Sequence, residues 1–468
     1  MYRFSYSFFT IALVVLAVAA PAQNRLPESI YRKISSLLTR EFSAGNPGGV
    51  VLVAKRGRPV FLRAYGMADI ELGVPMRTDN VFGIGSITKQ FTAVAILKLV
   101  EEGKVGLDDA ISDYLPDFQT HGRRITIEQI LTHTAGLPSL VDLDDFEKFA
   151  RQDHTVPELL ALTRNLPLHF EPNAGYRYSD TGYIALGAVI EKVSGMSYGD
   201  IVESKIFRPL RMNGSFYGDD SRILPRRARG YSKNSDGVIK APYISMSVPH
   251  AAGSLVSTVE DLLRWDVALR KGGVLRKDLL ERAWSSRTVG DGTNVGYGFG
   301  WNICSIEGHR TIEHGGWING FTARAIRFPD KDLNIIVLVN NDADNPDGSY
   351  IARRIARLIL SGSSEIKLHS LAQEQRMRLA GLYLMNKRTR LSIIEKDGIL
   401  YSQWGNGRLE QLIALSPNEL TFAGSDASFV FRFEIAAGGR AAKVRTFRGC
   451  TPPSVGERSE EVQLPAGR

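Results

Sequence analysis

Strand-like segments lie on both sides of a long helical stretch, and this order constrains the fold more than any other feature. Near the start, GGVVLVAKRGRPVFLRAYG is typical of two strands joined by a turn. From about Phe82 to Leu269 the apolar spacing is mostly helical. Strand patterns return at HRTIEHGG, FTARAIRFPD and LNIIVLVNN, before a last helical pattern, SYIARRIARLILSG. We predict an α+β fold, in which one antiparallel sheet from both chain ends is flanked by helices and carries an inserted helical subdomain.

The chain beyond this helix has a different pattern. The segment SGSS at 361–364 predicts a linker. Short strand patterns separated by turn residues then run from about Ser370 to about Arg448, which predicts a small β-barrel or sandwich. We therefore divide the 468 residues into a signal peptide at 1–22, a main domain at 23–362, and a linker with a C-terminal β-rich domain at 363–468.

The first residues, MYRFSYSFFTIALVVLAVAAPAQ, combine one early arginine, an apolar run from Phe8 to Ala20, and small residues at Ala20 and Ala22. This pattern predicts a secretory signal peptide cut after Ala22. An uncleaved anchor is the alternative, although the apolar run is shorter than the roughly 20 residues that a membrane span needs. Cleavage predicts a periplasmic or secreted protein without a stable membrane span.

The cysteines and charges narrow the class of protein further. Cys304 and Cys450 are the only cysteines, which excludes a disulfide framework. One bridge between them is allowed, but two unpaired thiols are the expectation. The 58 basic and 50 acidic residues give a net charge of +8. The basic residues are scattered in small groups without interleaved aromatic residues, so we do not expect nucleic-acid binding.

Two serines lie in patterns that are typical of nucleophiles. Ser197 lies in GMSYG, which matches a G-x-S-x-G elbow, but that elbow requires a strand before the serine. Here a helical pattern comes first and ends at Gly195. Because Asp200 follows Ser197 at capping distance, we predict that Ser197 caps the next helix. An α/β-hydrolase that uses Ser197 is the alternative.

Ser86 begins the helical segment ITKQFTAVAILKLVEEG, which is apolar on most of its circumference and is therefore expected to be buried. Lys89 follows at i+3 and lies on the same helix face. A serine hydroxyl needs a base to become a nucleophile, and a buried lysine near a helix N-terminus can have the lowered pKa this role requires. Taken alone, the spacing favours a capping serine and a surface lysine.

Two further segments change this interpretation. Tyr178 lies in the loop EPNAGYRYSD just before a helical pattern, in a position that can face a cleft. His314 ends a predicted strand and precedes two glycines, which allow a ligand close to the backbone. A helix N-terminus, a loop and a strand edge can thus converge on one cleft. His133, in LTHTAGLP, is interpreted as a hydrogen-bonded loop residue rather than a catalytic one.

Together these segments resemble the serine hydrolases of the β-lactamase-related group, which includes class C β-lactamases, D-Ala-D-Ala carboxypeptidases, D-aminopeptidases and family VIII esterases. The resemblance covers about Pro27 to Gly362. Its three motifs are SITK from Ser86, YSD from Tyr178 and HGG from His314, which stand for S-x-x-K, Y-x-N and H-x-G. The flanking stretches LTHTAGLP, AAGSLVSTVEDLLRW and YGFGW agree with this group in order and spacing.

The resemblance implies a role for each matching residue. Ser86 is expected to form an acyl-enzyme, with its proton passing to Lys89 and Tyr178 in the same network. Tyr178 is expected to help protonate the leaving group and to activate the deacylating water. The backbone N–H groups of Ser86 and Trp317 are expected to hold the oxyanion.

The residues implied for substrate binding are Asp180, His314, Gly315 and Gly316, and two of them depart from the usual motifs. Asp180 replaces an asparagine, and an anion beside Lys89 favours the protonated lysine. Either Asp180 points elsewhere, or Lys89 and Tyr178 share protons as a coupled unit. His314 replaces the lysine of true β-lactamases, so a permanent positive charge is missing.

These observations predict an exported serine hydrolase that acts on ester bonds or on D-amino-acid peptide or amide bonds. The C-terminal domain resembles the lipocalin-like appendages of the same group. No cofactor is expected, and no metal, because the histidines lack paired spacing and Pro346 interrupts the acidic loop NNDADNPDG. The expected partner is a small-molecule substrate, with peptidoglycan as a further candidate. The alternatives are a true β-lactamase and a non-catalytic penicillin-binding-type module that recognises peptidoglycan or a protein.

Overall fold

A computed structural model of the protein describes residues 25–343, 346–365, 368–385, 389–423, 429–448 and 452–459. The predicted signal peptide lies outside these residues, so its cleavage stays a prediction. Within the described part of the chain, every helix is too short or too polar to cross a membrane.

The regular elements are numbered in chain order. The α-helices are α1 Glu28–Glu41, α2 Thr88–Glu101, α3 Ile111–Tyr114, α4 Ile127–Leu131, α5 Phe146–Phe149, α6 Val156–Leu162, α7 Asp180–Ser194, α8 Tyr198–Val202, α9 His250–Gly253, α10 Val259–Arg270, α11 Lys277–Ala283, α12 Gly348–Ser361 and α13 Gln373–Leu379. The strands are β1 Gly49–Lys55, β2 Arg58–Tyr65, β3 Met67–Asp69, β4 Val74–Pro75, β5 Phe82–Gly83, β6 Phe216–Tyr217, β7 Tyr231–Asn234, β8 Gly237–Lys240, β9 Leu255–Ser257, β10 Asn302–Ile306, β11 His309–Ile318, β12 Phe321–Phe328, β13 Leu333–Val339, β14 Gly381–Leu384, β15 Arg390–Lys396, β16 Ile399–Trp404, β17 Glu410–Ser416, β18 Glu419–Phe422, β19 Phe429–Ile435, β20 Ala441–Arg448 and β21 Ser454–Arg458.

The main sheet joins both ends of the first domain, as the sequence predicts. Its strand order is β10-β11-β12-β13-β1-β2, and the paired neighbours are antiparallel. Side chains of β1 alternate between two apolar cores, because Val51 and Val53 pack with helices α1 and α12 while Leu52 packs with α2 and α10. The α+β class is confirmed. The edge strand β10 was not predicted, since its sequence NICSI has little apolar alternation.

The helical subdomain lies between β2 and β10, and α2 runs through its core. Most of α2 is buried, including Lys89 and Phe91, as its apolar circumference predicts. The helix packs against α7 and α9. Burial on several sides fixes the N-terminus of α2, where Ser86 lies.

Ser197 caps a helix, as predicted. Helix α7 ends at Gly195, whose φ of 70° is left-handed, and the Ser197 side chain accepts the backbone N–H of Asp200 at the start of α8. Helix α7, and not a strand, precedes Ser197. The geometry of a nucleophile elbow is therefore missing at this serine.

The C-terminal region contains a closed eight-stranded barrel, β14 to β21. The sequence prediction stopped at about Arg448, but the last strand, Ser454–Arg458, pairs with both β14 and β20 and closes the barrel. Its sequence, SVGER, has little apolar alternation, because closure depends on main-chain pairing.

The expectation of two unpaired thiols is wrong for Cys304. This residue, on the edge strand β10, is disulfide-bonded. The only other cysteine of the sequence is Cys450, which lies outside the described residues. Separation along the chain does not predict separation in space, and it was the only evidence for free thiols.

Candidate active site

The nucleophile candidate Ser86 lies in a tight turn, Gly85–Ile87, that leads directly into α2. Gly85 has a φ of 48°, which favours glycine, and a Cβ atom there would lie 2.7 Å from the backbone oxygen of Trp317. The missing side chain at Gly85 lets this turn touch the end of β11. Ser86 itself is half-buried and lines a cavity.

Lys89 is completely buried, and its Nζ donates three hydrogen bonds. The acceptors are Ser86 Oγ at 3.1 Å, Asp180 Oδ1 at 2.6 Å and the backbone oxygen of Ala252 at 2.8 Å. Burial lowers the pKa of Lys89, and the Asp180 carboxylate opposes this shift. An ammonium group fills these three contacts with its three N–H donors, and a neutral amine fills them by donating to Asp180 and Ala252 and accepting the Ser86 hydroxyl. Ala252 was not predicted as a site residue, although it lies within the family-like stretch AAGSLVSTVEDLLRW.

Tyr178 and Asp180 are presented by the N-terminus of α7. The cap of this helix is Ser179, whose Oγ accepts the N–H of Gly182 and donates to the Pro138 oxygen at 2.8 Å. Tyr178 shares a side-chain hydrogen bond with Ser86, and its ring centroid lies 4.8 Å from Lys89 Nζ. Burial, then the Asp180 carboxylate, raises the pKa of the Tyr178 hydroxyl well above its usual range. Of the two alternatives for Asp180, the one in which it points away from Lys89 is ruled out, because Lys89 Nζ donates to its Oδ1.

A buried aromatic cluster supports Tyr178 from behind. His133 is 2% exposed, and its ring centroid lies 4.2 Å from that of Tyr178 and 4.7 Å from that of Tyr297. Its Nδ1 accepts the backbone N–H of Ser179, so Nε2 carries the proton and has no hydrogen-bond partner among the described residues. His133 is therefore hydrogen-bonded, as predicted from its sequence context. Its contact with the Tyr178 ring could not be read from the sequence.

His314 lies behind the cavity. It is 3% exposed, and it is not among the residues that line the cavity, where we had expected it to meet the substrate. Its Nδ1 donates to the Gly315 oxygen at 2.6 Å, so Nε2 accepts the Tyr297 hydroxyl at 2.9 Å. Burial, more than the nearby cations Lys89 and Arg324, lowers its pKa to about 3. His314 is therefore neutral, and it orders Tyr297.

The glycines after His314 bring two main chains together. A Cβ atom at Gly316 would overlap the backbone oxygen of Ile84, which precedes the Ser86 turn. A Cβ atom at Gly315 would lie 2.8 Å from the Arg324 guanidinium. The Trp317 backbone therefore lies beside the Ser86 turn.

The cavity beside Ser86 has a volume of about 590 Å³. Its wall is mainly apolar, with charged side chains at a few positions. The apolar and aromatic lining residues include Leu140, Val141, Phe146, Ile184, Tyr243 and Trp317. The charged lining residues are Glu147, Arg151, Asp180 and Asp342. A cavity of this size and character is suited to a small organic substrate with an apolar group.

Comparisons with known proteins show which family the chain belongs to. Residues 36–359 match the family described as Beta-lactamase. The chain is 30% identical to penicillin-binding protein 4* of Bacillus subtilis, over 77% of this chain and 85% of that protein.

Solved structures agree with this match. The octameric penicillin-binding protein homologue from Pyrococcus abyssi has a TM-score of 0.65 at 25% identity and covers 92% of this chain and 99% of its own. A D-stereospecific amidohydrolase from Streptomyces has a TM-score of 0.62 at 26% identity, and the match covers 72% of this chain and 99% of that protein. The protein therefore belongs to the β-lactamase family and is a serine hydrolase of the β-lactamase-related type.

Proposed function

We propose that this protein is an exported serine hydrolase that forms an acyl-enzyme on Ser86 and cleaves ester bonds or D-amino-acid amide and peptide bonds. One observation carries the proposal: Ser86 Oγ accepts a hydrogen bond from the buried Lys89 Nζ at 3.1 Å, on the wall of the 590 Å³ cavity. A nucleophile, its base and a space for substrate are thus in one place.

The proposed reaction begins with attack of Ser86 Oγ on the substrate carbonyl carbon, while the hydroxyl proton passes to Lys89. This step needs the neutral amine of Lys89, which burial favours and the Asp180 carboxylate disfavours. Collapse of the tetrahedral intermediate breaks the bond to the leaving group, which takes a proton from the Lys89–Tyr178 network. Water then attacks the acyl-enzyme and releases the acid.

The developing oxyanion is proposed to lie between the backbone N–H groups of Ser86 and Trp317. The support is the close approach of the two main chains at Gly85 and Gly316. Two fixed N–H donors in a partly dry cavity stabilise the negative oxygen, and loss of one such donor typically costs about 3 kcal/mol of transition-state stabilisation.

The choice of substrate rests on the cavity wall and on His314. A neutral, buried histidine at the third motif provides no cation for a β-lactam carboxylate. The mainly apolar wall is suited to an acyl group or an apolar amino-acid side chain. The similarity to a D-stereospecific amidohydrolase supports amide substrates of D-amino acids.

Export is proposed from the signal pattern at the N-terminus. The disulfide bond of Cys304 supports export as well, because disulfides persist mainly in oxidising compartments. The expected location is the periplasm or the exterior of the cell.

The test combines activity with covalent labelling. Wild type, Ser86→Ala and Ser197→Ala are assayed on short-chain esters, D-alanine dipeptides, D-amino-acid amides and nitrocefin, and each protein is treated with a fluorophosphonate before intact-mass measurement. We expect turnover and one adduct in wild type and in Ser197→Ala, and neither in Ser86→Ala. Absence of any adduct in wild type supports a non-catalytic binding module. Rapid nitrocefin turnover overturns the preference for esters and amides.

A further inference from the structure

A second cavity lies at the far ends of the two helices that present the catalytic candidates. Helix α2 follows the Ser86 turn and helix α7 begins at Asp180, whereas this cavity is formed near the C-terminal ends of both helices. Its volume is about 270 Å³, and it shares no described lining residue with the cavity beside Ser86. We call it the α2–α7 groove. Its lining includes Lys98 and Leu99 on α2, Ile190 on α7, and Ile201, Lys205 and Ile206 in and after α8.

The floor of the α2–α7 groove is apolar and buried. Leu99, Ile190, Ile201 and Ile206 come from three helices and the turn that follows them, and each is between 0% and 8% exposed. Met196, in the connection from α7 to α8, is 36% exposed and extends the apolar surface outwards. A concave site with an apolar floor and a few polar groups is the usual form of a small-molecule site. This floor is suited to a short aliphatic chain.

Three lysines line the same groove, and two of them have no charged partner. Lys104 is paired with Glu102 at 2.7 Å, whereas Lys98 and Lys205 form no ion pair with any described residue. The pKa of Glu102 is lowered by its hydrogen bond with Lys104 and by the charges of Lys104, Lys205 and Lys98. The three ammonium groups therefore lie near one another, and the groove has a net positive charge.

The acidic residues nearest along the chain are occupied elsewhere. Glu101 accepts the backbone N–H of Arg276, and Glu203 is paired with Arg222 at 2.7 Å. Glu203 also begins a π-helical turn, Glu203–Phe207, and turns of this rare kind are frequent at functional sites. The charge of the two unpaired lysines is thus left for a ligand.

We propose that the α2–α7 groove binds a small amphiphile with one anionic head group and a short aliphatic chain, of which medium-chain carboxylates are the simplest. The chain lies on the floor around Leu99 and Ile190, and the head group is paired with Lys98 and Lys205. Burial of the chain favours binding, while the lysines select the sign of the charge. Because the groove is separate from the cavity beside Ser86, binding there does not depend on the proposed function.

The first test measures binding to the wild-type protein by isothermal titration calorimetry. Octanoate is compared with octylammonium, which has a chain of similar length and the opposite charge, and with acetate, which lacks the chain. We expect octanoate to bind at least about tenfold more tightly than either, and more weakly as the ionic strength rises. Octylammonium or acetate that binds as tightly as octanoate contradicts the proposal, and so does an absence of octanoate binding.

The second test locates the site, because octanoate can also enter the apolar cavity beside Ser86. Lys98→Gln combined with Lys205→Gln removes both unpaired charges at positions that are not buried, so we expect the fold to be kept. The affinity for octanoate is expected to fall about three- to tenfold. Lys192→Gln, which removes an exposed charge of α7 outside the groove, is expected to bind as wild type does. Wild-type affinity in the double variant, or an equal loss in Lys192→Gln, refutes the assignment.

A third measurement needs no variant. Lysines of the wild-type protein are acetylated with acetic anhydride, with and without saturating octanoate, and the modified peptides are quantified by mass spectrometry. Octanoate is expected to slow the modification of Lys98 and Lys205 several-fold and to leave Lys192 unchanged. Equal rates at Lys98 and Lys205 overturn the proposal. If the protein instead forms a dimer that the double variant cannot form, the groove belongs to a second copy of the chain and the proposal is wrong.

Discussion

The Nζ atom of Lys89 lies 2.6 Å from Oδ1 of Asp180, and the lysine side chain is fully buried while that of the aspartate is 20% exposed. Asp180 therefore places a carboxylate beside Lys89 at the position where the Y-x-N motif has an asparagine. Asp180 favours the protonated lysine, whereas burial favours the neutral amine. The two effects act in opposite directions on the group that has to accept the Ser86 proton.

Replacing Asp180 by asparagine is expected to keep activity and to shift its pH dependence. Asp180 raises the pKa of Lys89, so its removal lowers that pKa and makes the neutral base available at lower pH. The acidic limb of kcat/KM against pH therefore moves to lower pH in Asp180→Asn. Asp200→Asn, a change at the distant cap of α8, serves as control and leaves the limb in place. A limb that stays or moves upward in Asp180→Asn contradicts the assignment of Lys89 as the base.

Replacing Tyr178 by phenylalanine tests the hydroxyl that is hydrogen-bonded to Ser86. The ring packing on His133 is retained, because only the oxygen is lost. Since general acid–base groups typically contribute about 10² to 10⁴ in rate, kcat is expected to fall within that range while the melting temperature changes little. Steady-state kinetics and thermal unfolding measure the two quantities. Wild-type kcat in Tyr178→Phe excludes a role in proton transfer.

Replacing Gly316 by alanine tests the contact between β11 and the Ser86 turn. The added methyl group overlaps the Ile84 oxygen, so one main chain has to move. We expect a loss of about 1–3 kcal/mol in the free energy of unfolding, together with a fall in kcat. Gly273→Ala is the matched control, because a Cβ atom there meets open space at an ordinary φ. Unchanged kcat in Gly316→Ala disproves the link between this contact and catalysis.

The buried histidine His314 predicts how stability depends on pH. Its pKa is lowered to about 3 in the folded protein, whereas the pKa of a histidine in the unfolded chain is about 6.5. Between these two pH values the unfolded chain is protonated at His314 and the folded chain is not. Stability is therefore full above pH 6.5 and is lost as the pH falls from 6.5 towards 3. Between pH 7 and pH 5 this group alone costs about 2 kcal/mol of unfolding free energy.

Urea unfolding at pH 7 and pH 5 measures this loss in wild type and in His314→Gln. The variant is expected to lose less stability between the two pH values, even if it is less stable at pH 7. An equal loss in both proteins excludes His314 as a source of the acid sensitivity.

The sequence predicted those parts of the molecule that depend on local patterns. The apolar circumference of α2 identified a buried helix, and Gly195 with Ser197 identified a helix end and a cap, because their geometry involves only neighbouring residues. The antiparallel sheet from both chain ends followed from the order of apolar segments.

Features that depend on contacts between distant segments were not predictable in this way. Strands β10 and β21 form by main-chain pairing at sheet edges, and their sequences have little alternation. The disulfide at Cys304 and the burial of His314 depend on what lies beside them in space. The orientation of Asp180 was open for the same reason. Its motif places it at the start of a helix but does not show that Lys89, on another helix, lies within hydrogen-bond distance.

The contact of Gly85 and Gly316 with the opposite main chains bears on how this protein can be altered. It holds the nucleophile turn and the proposed oxyanion donor together without any side chain. Most of the cavity wall, by contrast, is made of side chains on other segments, such as Leu140, Phe146 and Tyr243. Directed changes to those side chains can therefore re-shape substrate preference while the reacting centre keeps its geometry, which makes the wall a suitable target for engineering new selectivity.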